Sequence, residues 1–105
     1  QWDELSDHVV AFDARGCAIG TARLLPDGRI GRMAVLKEWR GRGVGAALLA
    51  AMLERARERS LACITLHAQT RAVGFYRRFG FSERGREFFE AGIPHLEMTL
   101  ELFPA

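Results

Sequence analysis

The stretch Arg40-Gly41-Arg42-Gly43-Val44-Gly45-Ala46 constrains this chain most. An apolar run, Ile30 to Leu36, precedes it and reads as a strand. No helix breaker follows Gly45 until Arg59, so a helix is expected there. A strand, a glycine-arginine loop and a helix start together predict an anion site. The first turn of a helix carries N–H groups without internal partners, and its dipole end is positive. Glycines let a phosphate approach the backbone, because no Cβ stands in the way. Arg40 and Arg42 add charge on planar forks that suit phosphate oxygens. The expected ligand is a pyrophosphate.

Two well-known phosphate loops fit poorly. A P-loop needs Lys and then Ser or Thr after its last glycine, and Val44-Gly45-Ala46 stands there instead. A dinucleotide fingerprint is formally met by Gly41-x-Gly43-x-x-Ala46. Its first glycine should follow the strand directly, yet Lys37-Glu38-Trp39-Arg40 intervenes. The next apolar strand ends in His67-Ala68-Gln69, without the carboxylate that would hold a ribose. A third pattern, Arg40-x-x-Gly43-x-Gly45, stays open.

A chain of 105 residues allows one domain with a modest core. No apolar run approaches the roughly 20 residues of a membrane span, and no signal-peptide pattern opens the chain. A soluble, cytoplasmic protein without a membrane partner is expected. Residue 1 is Gln rather than Met, which suggests a trimmed or partial chain. The net charge is only +2, with arginines crowded at 29–42, 55–59 and 71–86. Without aromatic stacking motifs, that pattern favours a small anionic ligand over nucleic acid. Cys17 and Cys63 lie in strand-like runs, so two buried thiols are expected rather than a disulfide framework. His8, His67 and His95 are far apart in sequence, and no metal-ligand spacing predicts a metal.

Read in order, the chain predicts a polar lead-in and then strands at His8–Phe12, Cys17–Leu25 and Arg29–Leu36. Turns fall at Asp13–Gly16 and Pro26–Gly28, giving an antiparallel meander, with Gly20 marking a bulge or close packing. A helix follows from Gly43 to Arg59, apolar nearly all round in its first half and carrying the pairs Glu54–Arg57 and Arg55–Glu58 in its second. The strand Ala62–Ala68 should return parallel to the third strand through a right-handed crossover. Thr70 is a candidate cap for a second helix, Arg71–Phe79, closed by Gly80 in the left-handed region with Phe81 packing back. Two last strands follow, around Arg84–Phe89 and His95–Leu102, with a turn at Gly92-Ile93-Pro94. In the last one Leu96, Met98, Leu100 and Leu102 alternate with Glu97, Thr99 and Glu101, one face core and one face wet. The order is β-β-β-α-β-α-β-β, a mixed, mainly antiparallel α/β (α+β) sheet with flanking helices.

That order, with Arg40-x-x-Gly43-x-Gly45 after the third strand and Gly74-Phe75-Tyr76-Arg77-Arg78-Phe79-Gly80-Phe81 on the second helix, resembles the GCN5-related N-acetyltransferase (GNAT) family. Gly20-Thr21-Ala22-Arg23-Leu24, Arg32-Met33-Ala34-Val35, Leu66-His67-Ala68-Gln69 and Gly92-Ile93-Pro94-His95 resemble one bacterial branch of small members. The family fold usually opens with a strand and two helices before the meander, and these are not seen here. A single acyl-CoA-binding domain, incomplete at its N-terminus, is therefore expected. An uncovered apolar edge would then favour a homodimer.

The resemblance implies acetyl-CoA as co-substrate and the amine of a small molecule as acceptor. It places pyrophosphate on the backbone amides of Arg42, Gly43, Val44, Gly45 and Ala46, beside Arg40. It places the pantetheine arm along Met33, Ala34 and Val35, with the Val35 amide facing the thioester oxygen. Gln69 stands where the family often has an asparagine on the pantetheine, and Tyr76 where it often keeps the acid for the leaving thiolate. By pattern alone, Tyr76 is a packed aromatic on an apolar helix face. His67 reads as a core-edge histidine, His95 as either a turn or an acceptor-site residue, and Glu38 as a solvated loop carboxylate. Trp39 is expected beneath the loop, and Arg71, Arg77 and Arg78 on a solvated face. The alternative to an enzyme is a non-catalytic module that binds coenzyme A or another protein.

Overall fold

The computed structural model describes residues 6–103, so most of the expected lead-in lies outside the described residues. The chain divides into two compact units, Gln1–Leu61 and Ala62–Ala105.

The first unit is the predicted meander with one helix on it. Strands β1 (Asp7–Phe12), β2 (Ala18–Leu24) and β3 (Ile30–Val35) pair antiparallel in that order. The first turn is built by Asp13, whose carboxylate accepts from the N–H groups of Arg15 and Cys17, both at 2.9 Å. Helix α1 (Val44–Glu58) packs on the sheet through Leu48, Leu49, Met52, Leu53 and Ala56, all buried. Burying a leucine-sized side chain contributes about 1.5–3 kcal/mol, so these residues carry much of the unit's stability. The helix is not buried all round as its composition suggested, because Ala47 and Ala50 face solvent. Gly20 marks both features, since the β1–β2 register shifts there, from Ala11 opposite Gly20 to Phe12 opposite Ala18, and the packing is close. A Cβ there would sit 3.0 Å from Leu48 Cδ1, 3.1 Å from Val44 Cγ1 and 3.2 Å from the Ala34 carbonyl oxygen. The end of α1 is tied to the start of β1, where Asp7 meets Arg55 at 3.4 Å and also Arg59. Of the two helical pairs expected, Arg55–Glu58 forms at 3.1 Å, and Glu54–Arg57 does not form among the described residues.

The second unit holds β4 (Cys63–Gln69), a short helix α2 (Val73–Arg77), β5 (Ser82–Glu90) and β6 (Ile93–Glu101). Its sheet order is β4-β6-β5, all antiparallel. Strands β3 and β4 belong to different sheets, and β4 pairs along its whole length with β6. Ile64, Leu66, Ala68, Val73, Phe81 and Met98 are buried. The alternation read in the last strand holds, since Leu96, Met98 and Leu100 lie opposite Ala68, Leu66 and Ile64.

Three local readings are corrected here. Cys17 and Cys63 are exposed free thiols, not buried ones. Cys63 opens β4 on the face opposite Ile64, Leu66 and Ala68, and strand alternation keeps it outside. Thr70 does not cap a helix. Its hydroxyl donates to the Pro94 carbonyl at 3.3 Å, and residues Thr70–Ala72 form a single 3₁₀ turn before α2. The last hairpin turns at Ala91-Gly92, with φ of 52° and 76°, the signature of a two-residue type I′ turn. Ile93 and Pro94 are thus already in β6, opposite Glu90 and Phe89.

Candidate active site

The strand–loop–helix segment forms as predicted, within the first unit. After β3, a 3₁₀ turn over Lys37–Trp39 leads into the loop. Gly43 is the N-cap residue of α1 at φ 85°, a left-handed conformation that side chains with a Cβ adopt only with strain. The first helical hydrogen bond runs from the Ala47 N–H to the Gly43 carbonyl at 3.0 Å. The N–H groups of Val44, Gly45 and Ala46 therefore have no acceptor within the helix, and no side chain caps them. No acidic residue stands in that first turn to compete with an anion.

Both loop arginines are held. Arg40 donates through Nε to the Val35 carbonyl at 3.1 Å, folding the loop back on the strand. Arg42 lies over the Trp39 ring, 4.8 Å from its centroid. That contact fixes the guanidinium above the loop and gives Trp39 the packing role expected of it. Glu38 is exposed, in line with a solvated carboxylate.

Strand β3 is the edge of its sheet. Leu36 N–H donates to the Ile19 carbonyl at 2.9 Å, so Leu36 faces β2. Two residues back, Ala34 faces β2 as well, opposite Thr21. Alternation then turns the peptide groups of Met33 and Val35 to the outer edge, where the Val35 carbonyl meets Arg40. Of the three residues expected along an extended ligand, Met33 and Val35 present free-edge groups, and Ala34 presents only its side of the strand.

Gln69 and Tyr76 lie in the second unit. Gln69 ends β4, and its side-chain oxygen accepts from Arg71 Nε at 3.0 Å. This leaves the amide N–H₂ as the end that can reach a ligand. Tyr76 sits in the last turn of α2. The Gly80 N–H donates to the Arg77 carbonyl at 2.9 Å, and the Phe81 N–H donates to the Tyr76 carbonyl at 3.2 Å. These two bonds are a Schellman motif, and Tyr76 and Phe81 are the pair whose apolar contact accompanies it. Their rings are 5.9 Å apart, and Phe75 packs edge-on to Tyr76 at 5.0 Å. Burial pushes the Tyr76 phenol above its ordinary value, so it keeps its proton through the neutral range. Its hydroxyl has no hydrogen-bond partner among the described residues.

The other two arginines expected on a solvated face, Arg77 and Arg78, are both exposed, and Arg77 is also paired with Glu83. His67 and His95 do not sit singly. Both turn to the same face of the β4-β6-β5 sheet and meet Glu90, which sequence reasoning passed over. The signal for Glu90 lay in the Ala91-Gly92 turn, which sets the register that brings it there.

Comparison with known proteins gives the family. The family model for the acetyltransferase (GNAT) domain matches residues 2–102, and the chain belongs to that family of acyl-CoA-dependent N-acetyltransferases. It is 38% identical over 103 residues to the uncharacterized N-acetyltransferase YjcF of Bacillus subtilis (strain 168), covering 91% of this chain and 73% of that protein. It is 33% identical over 101 residues to the uncharacterized protein YyaT of the same organism, covering 94% of this chain and 68% of that protein. An acyl-CoA N-acyltransferase from Pseudomonas aeruginosa superposes with a TM-score of 0.82 at 29% identity, covering 90% of this chain and 68% of that one. The chain thus spans about two thirds to three quarters of the length of these proteins. Among the described residues no helix is long and apolar enough to cross a membrane, and no group of side chains is placed to hold a metal ion.

Proposed function

We propose that this chain is an acetyl-CoA-dependent N-acetyltransferase acting by direct attack of a primary amine of a small acceptor, with residues 1–105 as one acyl-CoA-binding domain. The observation that carries the reading is the β3 edge running into an uncapped helix start. An extended, amide-bearing arm ending in a pyrophosphate matches both parts, the arm along Met33 and Val35 and the phosphates on Val44, Gly45 and Ala46. When bound, the co-substrate supplies an activated thioester acyl group. Gly43 and the amides after it hold its phosphates, with Arg40 and Arg42 adding charge beside them. The Val35 N–H, on the free edge, is a donor for the oxygen on which charge develops. Gln69 steadies the arm through its amide N–H₂. Tyr76, kept neutral by burial, donates its O–H toward the leaving sulfur.

The first test is calorimetric titration with acetyl-CoA of the wild type and of Arg40→Ala/Arg42→Ala. Binding that weakens in the double variant supports the cofactor site, and a folded wild type that ignores acetyl-CoA refutes it. Tyr76→Phe then probes the chemistry, with loss of turnover expected while cofactor affinity holds. A second reading, a cofactor-binding or protein-interaction module without turnover, draws support from Tyr76 having a complete packing role in the Schellman motif. A wild type that binds acetyl-CoA and acetylates no amine would favour it.

A further inference from the structure

The roles assigned so far leave unused a cluster on the polar face of the β4-β6-β5 sheet. His67, Phe88, Glu90 and His95 meet there from all three strands. His95 Nδ1 lies 2.7 Å from the Ile93 carbonyl oxygen. A carbonyl can only accept, so Nδ1 carries the hydrogen and the neutral ring presents a bare Nε2. That Nε2 points at Glu90 Oε1 across 3.7 Å, beyond hydrogen-bond range. The other carboxylate oxygen, Oε2, faces His67 Nδ1 at 3.3 Å. Phe88 lies between the imidazoles, edge-on to His67 at 4.9 Å and stacked with His95 at 6.0 Å. The His95 side chain is 12% exposed and that of Glu90 52%, so the gap is sheltered at the imidazole and open to water at the carboxylate.

In this tautomer Nε2 and Oε1 are both acceptors, and among the described residues no donor joins them. The gap lacks an N–H donor with positive charge beside an aromatic ring. An alkyl ammonium supplies this, with three donors and a cation for the Phe88 face. Other charges share this face. Glu97, opposite both His67 and Arg84, has that arginine for a neighbour, and Arg84 Nε also donates to Thr99 Oγ1 at 3.2 Å. Arg71 is held by Gln69. Position also fits. His95 is the cross-strand partner of Gln69, the residue proposed on the pantetheine arm. A depression of about 270 Å³ lined by Gln69, Thr70, Arg71, Ile93 and Pro94 opens beside it.

We infer that Glu90, His95 and Phe88 form the subsite for the acceptor, a primary alkyl ammonium, with His95 Nε2 taking the proton that makes it a nucleophile. The inference rests on the acetyl-transfer reading. One ammonium N–H bond breaks as an N–H bond forms at Nε2, leaving an imidazolium beside the Glu90 carboxylate. That proton later passes to solvent. The second proton, lost by the amine as the amide forms, goes to the coenzyme thiol.

The experiment is an NMR titration of the coenzyme A-loaded protein with n-butylammonium, read at the His95 imidazole and Phe88 ring resonances, with n-butanol as the neutral match. Saturable shifts with the ammonium alone are expected, weakened about tenfold in Glu90→Gln and unchanged in Glu87→Gln. In turnover assays, Glu90→Gln raises the KM for the amine and keeps kcat. His95→Gln lowers kcat and flattens the rise of rate with pH, and both variants keep acetyl-CoA affinity. The inference is overturned if those rings do not respond in a protein that binds acetyl-CoA, or if Glu87→Gln and Glu90→Gln behave alike. Failure to bind acetyl-CoA would instead overturn the acetyl-transfer reading. The same titration without cofactor then decides the ammonium subsite by itself.

Discussion

Replacing Gly20 by Ala adds one methyl group where three neighbours stand at 3.0, 3.1 and 3.2 Å. None of them gives way easily. Leu48 is 2% exposed, so its Cδ1 has no open space to enter. Val44 is β-branched on a helix and holds one strongly preferred rotamer. The third neighbour is the Ala34 carbonyl oxygen, part of the β2–β3 pairing. Overpacking by one methyl costs about 1–3 kcal/mol. The backbone at Gly20 is not left-handed, so Ala also lowers unfolded-state entropy, which returns about 0.4–1 kcal/mol. The net loss is about 1 kcal/mol, or about 4–8 °C in Tm for a domain of this size. The strain falls on Val44, the first residue of α1, whose N–H belongs to the proposed phosphate cradle. Acetyl-CoA affinity should therefore drop about threefold to tenfold. Met52→Ala is the control. It empties a fully buried site eight residues further on, about 12 Å along the helix. It should cost about 2–5 kcal/mol and leave the affinity of the folded protein unchanged. Thermal unfolding and calorimetry on both variants decide the matter. An unshifted Tm in Gly20→Ala, or equal affinity losses in the two variants, would refute the reasoning.

Other outcomes follow from the same geometry. Gly43→Ala should cost about 1–2 kcal/mol in urea unfolding, because φ 85° is strained for a residue with a Cβ. Burial raises the Tyr76 phenol, so its contribution to stability is present below about pH 10 and lost as pH rises through the folded value. Urea midpoints of the wild type should thus fall more steeply than those of Tyr76→Phe in that alkaline range. The hydrogen bond from Arg77 holds the Glu83 carboxyl below its ordinary value, giving stability that is present above the usual carboxylate range and lost as pH falls through the folded value. Glu83→Gln should flatten that acid limb. Cys17 and Cys63 should both react with a maleimide in the folded protein, and a mass spectrum showing neither labelled would contradict their exposure.

What could be read from the chain was what neighbouring residues determine. Gly80 announced left-handed backbone at a helix end and adopts it, at φ 98°. Leu96, Met98 and Leu100 announced their face by alternation. What could not be read depended on distant partners. Thr70 has the side chain of a cap, yet its hydroxyl finds the Pro94 carbonyl, 24 residues away. Asp7 looked like part of a polar lead-in and instead anchors Arg55 and Arg59. Cys63 sat in an apolar run, and only the parity of β4 decides which residues face inward. Glu90 joins two histidines because the Ala91-Gly92 turn fixes the hairpin register, and a slip by one residue would turn it to the other face.

The double position of Tyr76 decides how its chemistry can be separated from its structure. Its ring is anchored by Phe81 and Phe75, and its carbonyl closes the Schellman motif. Only the hydroxyl is unused by the fold. Tyr76→Phe removes that oxygen and nothing the packing needs, so stability near neutral pH should hold within about 0.5 kcal/mol. Phe81→Ala does the reverse. It keeps the hydroxyl but removes the 3% exposed ring that sets its direction, at about 3–5 kcal/mol. If the hydroxyl acts at the leaving sulfur, both variants lose kcat, the first without unfolding and the second with a much lower Tm. If Tyr76 is only a packed aromatic, Tyr76→Phe keeps both rate and stability, and the loss of rate in Phe81→Ala tracks the unfolded fraction alone. The pair of variants, measured for kcat and Tm on the same samples, separates a hydroxyl that does chemistry from a ring that only closes a helix.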